Sequence, residues 1–255
     1  MNDSINNRLI IVIPARYNST RLPGKPLADI SGKPMVQHVY ERALQVPQAQ
    51  AVLVATEDAR VVDAVHAFGG RCLMTSPAHP SGTDRLIEVM AQADADVYIN
   101  LQCDEPLARP SDIAMLAANM LADSSMQVGT LCHPIAPEEA ASPHTVKVVL
   151  ASNRDALYFS RSPIPYPRTE GVAQYLKHVG IYAYRRETLA VYAGLPRPMI
   201  EQAEMLEQLR LLDAGVRIRV FEVQPTGPGV DTFACLERVR ALMAESFPSP
   251  IATAV

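Results

Sequence analysis

Two rhythms of apolar and polar positions alternate along the first half of the chain. Leu9-Ile10-Ile11-Val12-Ile13 is an unbroken, largely β-branched run, the pattern of a buried strand. After a polar loop, Val36, Val39, Tyr40 and Ala43 recur at helical spacing and predict a helix over Met35–Leu44. Val52-Leu53-Val54-Ala55 reads as a strand, Arg60–Phe68 as a helix stopped by Gly69-Gly70, and Cys72-Leu73-Met74 as a short strand. Asp84–Ala93 returns to helical spacing, and Val97-Tyr98-Ile99-Asn100-Leu101 is another buried strand. Such alternation predicts an α/β chain with crossover units, hence a mostly parallel sheet in three layers. Ligands of such sheets gather beyond the carboxyl ends of the strands.

The second half changes character. Val128–His133 and Thr145–Leu150 are strand-like, Pro163-Ile164-Pro165-Tyr166-Pro167 is a stiff connector, and Lys177–Tyr184 is another strand. Glu201–Leu212 is expected as one helix with Leu206, Leu209 and Leu212 on one face, ahead of Gly215. Val216–Val223 and Thr232–Glu245 close the chain as strand and helix. The simplest organisation is one domain with an inserted lobe. Its core is expected over about 8–130 and 205–245, and the lobe over about 131–204.

Composition narrows the chemistry. With 255 residues, 48 % of them hydrophobic, the chain can bury a core without disulfides or metal staples. A formal net charge of −4 argues against a nucleic-acid surface, which usually carries a basic stripe. The apolar runs fall far short of a membrane span, and Met1-Asn2-Asp3-Ser4 lacks the regions of a signal peptide. Cys72, Cys103, Cys132 and Cys235 show no C-x-x-C spacing, as expected in a reducing cytoplasm.

Against that acidic background, "PARYNSTRLPGKP" gathers Arg16, Arg21 and Lys25 just after the first strand. Forked guanidinium donors and a lysine point charge suit a polyphosphate, while Gly24 permits close approach. The alternative is a solvated loop with incidental cations. It is not a Walker loop, since G-x-x-x-x-G-K-[ST] is absent. "NLQCDEP" places Asp104 at the end of a buried strand, as a hard ligand for Mg²⁺ or as an acidic turn before Pro106. In "TGPGVDT", Asp231 is either a second carboxylate or part of a helix cap, and capping is the commoner role. In "HPSGTDR", Ser81 and Thr83 can cap a helix, and the turn opened by Gly82 could also accept a nucleobase edge. Arg161, His178, Tyr182, Glu207 and Gln208 could hold a hydroxylated acid, or could be a solvated helix face with a core histidine.

Taken in order, "IPARYNSTRLPGKPL", "HPSGTDRL", "QCDEP", "VKVVL", "ALYFSRSPIPY", "KHVGIYAYR", "EMLEQLR" and "GPGVDT" resemble the CMP-Kdo synthetases, the 3-deoxy-manno-octulosonate (Kdo) cytidylyltransferases. The resemblance runs from about Leu9 to Met243, and the short segment between Pro165 and Tyr175 is similar to the capsule-associated branch. It implies a three-layer, Rossmann-like nucleotidyltransferase fold with a mixed, mostly parallel sheet and a smaller sugar-binding and dimerisation lobe. It implies the reaction of CTP with Kdo to CMP-Kdo and pyrophosphate, with Mg²⁺, in a homodimer serving capsule or lipopolysaccharide synthesis. By motif, Arg16, Arg21 and Lys25 would contact the triphosphate, with Ala15 beside them. Ser81, Gly82, Thr83 and Arg85 would border the nucleotide, and Gln102 would lie between nucleotide and sugar. Asp104 and Asp231 would hold Mg²⁺, while Arg161, His178, Tyr182, Glu207 and Gln208 would hold the sugar acid.

Cys103 departs from the motif, which normally reads Q-G-D-E-P. A glycine of positive φ there would make cysteine strained by roughly 1–2 kcal/mol, whereas a glycine serving only for room would leave a crowding thiol. A related sugar acid, or a CTP-binding regulator impaired by Cys103, are the competing readings. A glycosyltransferase fits less well, because its D-x-D candidate, Asp94-Ala95-Asp96, precedes its strand.

Overall fold

All six residues of β1 (Leu9–Pro14) are buried, as the uninterrupted apolar run demands. The computed structural model describes residues 8–246 apart from Thr20, Pro80 and Glu170, so Met1–Ser4 lies outside the described residues. A short 3₁₀ turn, Lys25–Leu27, follows the first loop and leads into a small hairpin, β2 (Asp29–Ile30) and β3 (Lys33–Pro34). Then come α1 (Met35–Ala43), β4 (Ala51–Thr56), α2 (Ala59–Ala67), β5 (Cys72–Met74), α3 (Gly82–Gln92) and β6 (Val97–Asn100). These match the elements expected from periodicity to within a few residues.

Next are α4 (Pro110–Ala122), β7 (Val128–Ile135), α5 (Pro137–Ala140), β8 (Lys147–Leu150) and β9 (Ala156–Ser160). The chain continues through β10 (Tyr175–Arg185), α6 (Arg186–Tyr192), α7 (Met199–Glu204), α8 (Gln208–Asp213), β11 (Ile218–Glu222) and α9 (Phe233–Ser246). The single helix expected over Glu201–Leu212 is two helices. Met205 adopts the left-handed conformation (φ 52°, ψ 49°) and ends α7, and α8 begins at Gln208.

Among the described residues the main sheet runs β11-β7-β10-β6-β1-β4-β5, with β8 and β9 attached beside β10. Neighbours along β6-β1-β4-β5 are parallel, as is β11 with β7, and β10 is antiparallel to both β6 and β7. Alternate residues of β1 feed opposite layers. Leu9, Ile11 and Ile13 pack with apolar residues of α1, α2, α4 and α9, and Ile10 and Val12 with those of α3, α6 and α8. The result is the three-layer α/β architecture, with the β1 and β6 carboxyl ends opening on one side.

Candidate active site

The ladder between β1 and β4 ends with the Ala15 N–H donating to the Ala55 carbonyl at 2.9 Å. Ala15 itself is buried, and the chain then loops outward. Arg16, Arg21 and Lys25 from that loop face Gly82, Gln102 and Asp104 across a cleft of about 290 Å³. The loop turns at Gly24, whose φ of 69° and close approach to the Tyr17 hydroxyl leave little tolerance for a side chain.

The two expected carboxylates meet at one cation. Lys25 Nζ lies 2.5 Å from Asp104 Oδ2 and 3.2 Å from Asp231 Oδ1, and Arg21 also donates to Asp231 at 3.1 Å. Burial opposes the charge on Lys25, but Asp104 and then Asp231 outweigh it and hold the ammonium above its usual value. Asp231 is not a cap: the N–H of Cys235 donates to Thr232 Oγ1 instead, at 3.3 Å. The Val230 N–H donates to the Asp104 carbonyl at 2.8 Å and ties the two motifs together. Gly227 permits this approach, since a Cβ there would sit 2.5 Å from Leu107 Cδ1. Beside the pair, burial and then the charge of Asp104 push Glu105 up to about 8.

Gly82 and Gln102 also line a second cleft of about 250 Å³, with His178, Tyr182, Glu207 and Gln208 around it. A two-residue excess in β10, between the Val179 and Tyr182 pairings to β7, preserves the facing of the side chains. His178 and Tyr182 thus stay on one side with ring centroids 5.1 Å apart. Burial pushes His178 down to about 3, so its ring is neutral near pH 7. The Tyr182 hydroxyl is buried and has no hydrogen-bond partner among the described residues. Burial raises Glu207 against the hydrogen bonds of Thr83 and Ser81, and Thr83 Oγ1 donates to Glu207 Oε2 at 2.8 Å.

Other expected residues stand further back. Ser81 caps α3, accepting the Asp84 N–H at 3.1 Å. Arg85 was expected to border a nucleotide, but it is 1 % exposed and pairs with Glu57 at 2.7 Å, behind the cleft wall. Arg161 does not line the second cleft. Its guanidinium donates to the carbonyls of Glu204 and Pro143, and its N–H to Glu204 Oε2. Glu204, read from sequence as lying on the same polar helix side as Glu207 and Gln208, instead binds Ser160 and Arg161. Sequence reading missed Glu57, Asn100 and Tyr184, the last two on the second cleft. The D-x-D candidate lies at the opposite end of β6, where Asp94 pairs with Arg8 and Arg186.

A family profile described as "Cytidylyltransferase" matches residues 10–218. A 3-deoxy-manno-octulosonate cytidylyltransferase of Escherichia coli is 64 % identical over 94 % of this chain and 97 % of its own length. One of Geobacter metallireducens is 49 % identical over 91 % and 96 %. Among solved structures, a CMP:2-keto-3-deoxy-manno-octonic acid synthetase complexed with CTP superposes with a TM-score of 0.93 at 64 % identity. It covers 94 % of this chain and all of that one. A cytidylyltransferase from Leptospira borgpetersenii shares the fold at 15 % identity, with a TM-score of 0.66 over 95 % of this chain and 89 % of its own.

Proposed function

The chain belongs to the cytidylyltransferase family, and from that premise we propose that it activates Kdo with CTP to give CMP-Kdo and pyrophosphate. The observation that carries the reading is a cationic cleft with paired carboxylates that shares its wall, Gly82 and Gln102, with a second cleft lined by polar side chains. A triphosphate and a sugar acid fit side by side in that arrangement, with the anomeric hydroxyl in line with the α-phosphate.

Arg16, Arg21 and Lys25 bind the triphosphate and stabilise the charge that the departing pyrophosphate takes on. Asp104 and Asp231 would hold Mg²⁺. Both carboxylates already converge on one cation, and two hard oxygen donors completed by phosphates and water suit that ion. When bound, Mg²⁺ supplies charge neutralisation at the phosphates and a lowered pKa for an oxygen ligand. Gln102 orients both substrates at the shared wall. Neutral His178, the unpaired Tyr182 hydroxyl, Glu207 and Gln208 bind sugar hydroxyls, and Thr83 holds Glu207 in place. Arg161 and Glu204 brace the rim of that cleft, and Arg85 supports the first from behind.

Pyrophosphate release with CTP, Kdo and Mg²⁺ tests the reading. Asp104→Ala and Asp231→Ala are each expected to lower turnover by about a hundredfold or more while remaining folded. Near-wild-type turnover in either would remove that carboxylate from the site. The lobe expected over 131–204 is narrower than that, because β7 and β10 belong to the main sheet. We read the segment between them, 136–174, as the part that pairs two copies, supported by exposed Leu157, Tyr166 and Val172. Light scattering on the same preparations should return twice the chain mass, and a monomer mass would refute the pairing. We place the enzyme in the cytoplasm, in keeping with its four free thiols. Among the described residues no helix is long and apolar enough to cross a membrane.

A further inference from the structure

Where the β1–β4 ladder runs out, a side chain takes over. The last backbone bond joins Ala15 to Ala55; two residues further along each strand, Glu57 Oε1 accepts the Tyr17 N–H at 3.0 Å. Tyr17 is the closing point of the loop. Its carbonyl accepts the N–H groups of Ser19 and Gly24, each at 3.1 Å, and its ring is covered by the Arg60 guanidinium at 3.5 Å. The segment between those bonds carries Arg21, and Arg16 and Lys25 flank it directly. Glu57 itself does not line the cleft.

The other oxygen of Glu57 has a separate partner. Glu57 Oε2 lies 2.7 Å from Arg85 Nη2, whose guanidinium also donates to Thr75 Oγ1. The Glu57 side chain is 11 % exposed and that of Arg85 only 1 %. Without Glu57 only the weaker pull of Glu88 would offset the neighbouring charge of Arg16 on the buried guanidinium, and burial already lowers Arg85.

We infer that Glu57 is a positioning residue for the nucleotide: one oxygen fixes the phosphate-binding loop through Tyr17, and the other neutralises the Arg85 strut beneath it. The assignment rests on CTP being the ligand of the first cleft.

Two substitutions separate the two tasks. Glu57→Gln keeps an oxygen for the Tyr17 N–H and gives up the ion pair, whereas Glu57→Ala gives up both. Glu57→Gln is expected to melt at a lower temperature with a KM for CTP within about threefold of wild type. Glu57→Ala should raise the KM for CTP by about tenfold or more and leave that for Kdo within about twofold. A folded Glu57→Ala enzyme with an unchanged KM for CTP, or with both KM values raised alike, would overturn the inference. Hydrogen exchange at the Tyr17 amide of the unaltered protein decides the matter should Glu57→Ala fail to fold. Protection comparable to that of Ala15 supports the tie, and exchange as fast as that of an exposed loop amide refutes it. Absence of wild-type turnover with CTP and Kdo would instead count against the proposed reaction, and the exchange result would still test the hold of Glu57 on the loop.

Discussion

Cys103 stands where the motif of the resemblance carries glycine, yet its backbone does not need glycine's freedom. Among the described residues the non-glycine positions of positive φ are Ser31, Arg154 and Met205, so of the two alternatives for Cys103 the strained backbone is the one that does not arise. The thiol lines the first cleft, and burial raises it well above its ordinary value, which keeps it protonated and poorly reactive. His178 shows burial acting in the opposite sense on a base. In the proposed sugar site, an imidazole that stays neutral down to about pH 3 would offer a hydrogen bond rather than a charge. The KM for Kdo is therefore expected to be flat between about pH 6 and 8 as far as His178 is concerned. A KM that falls as pH drops through about 6.5 and levels in His178→Gln would show the ring charging there. Stability carries the complementary sign. The unfolded chain binds the histidine proton below about 6.5 and the folded chain does not, so acidification destabilises wild type more than His178→Gln. At this scale the cationic loop and Asp104 were legible from residue type and position after a strand, whereas Asp231 read as a helix cap on spacing alone and became a second carboxylate only through the family resemblance. Glu57 was not legible, nor was the partner of Glu204, because Tyr17 and Arg161 lie 40 and 43 residues away from them.

The break between α7 and α8 is a local decision with a distant effect. By leaving the helical path at Met205, the chain directs Glu204 to Ser160 and Arg161, and Glu207 to Thr83. A continuous helix would carry all of them on a regular surface instead. Leucine spacing could not reveal the break, since Leu206 within it and Leu209 just after it are both buried, as in a continuous helix. Met205 is 68 % exposed, so little packing opposes its replacement. Met205→Gly should stabilise the fold by about 0.5–1 kcal/mol by removing the Cβ penalty of the left-handed region, net of glycine's entropy. Chemical denaturation would measure it, and a loss of stability would mean that the methionine side chain holds the turn. Other elements escaped the sequence reading for different reasons. Pro110–Ala122 is so rich in alanine, leucine and methionine that its period is blurred, and Ala156–Ser160 is too short to show one.

Across the whole molecule, hydrophobic runs forecast strands and layers but say nothing of strand direction. The reversal of β10 was therefore invisible, and it is what assembles the second cleft. Tyr182 pairs with Asn100 at the carboxyl end of β6, so the preceding residues of β10, His178 among them, extend beyond that end beside Gln102. At the centre of the assembly, Lys25 rests between Asp104 and Asp231. In the proposed function, metal and nucleotide would each claim one partner of that ion pair, the metal the carboxylates and the phosphates the ammonium. Each ligand therefore relieves the other of a competitor, and by linkage the assistance is equal in both directions. Mn²⁺ followed by electron paramagnetic resonance should bind the nucleotide-free protein weakly and tighten by about tenfold with CTP. Lys25→Met should bring part of that gain without nucleotide, and unchanged Mn²⁺ affinity would dismiss the competition. On that reading the lysine is a placeholder that would make loading cooperative: neither half of the charge complement would be readily seated alone.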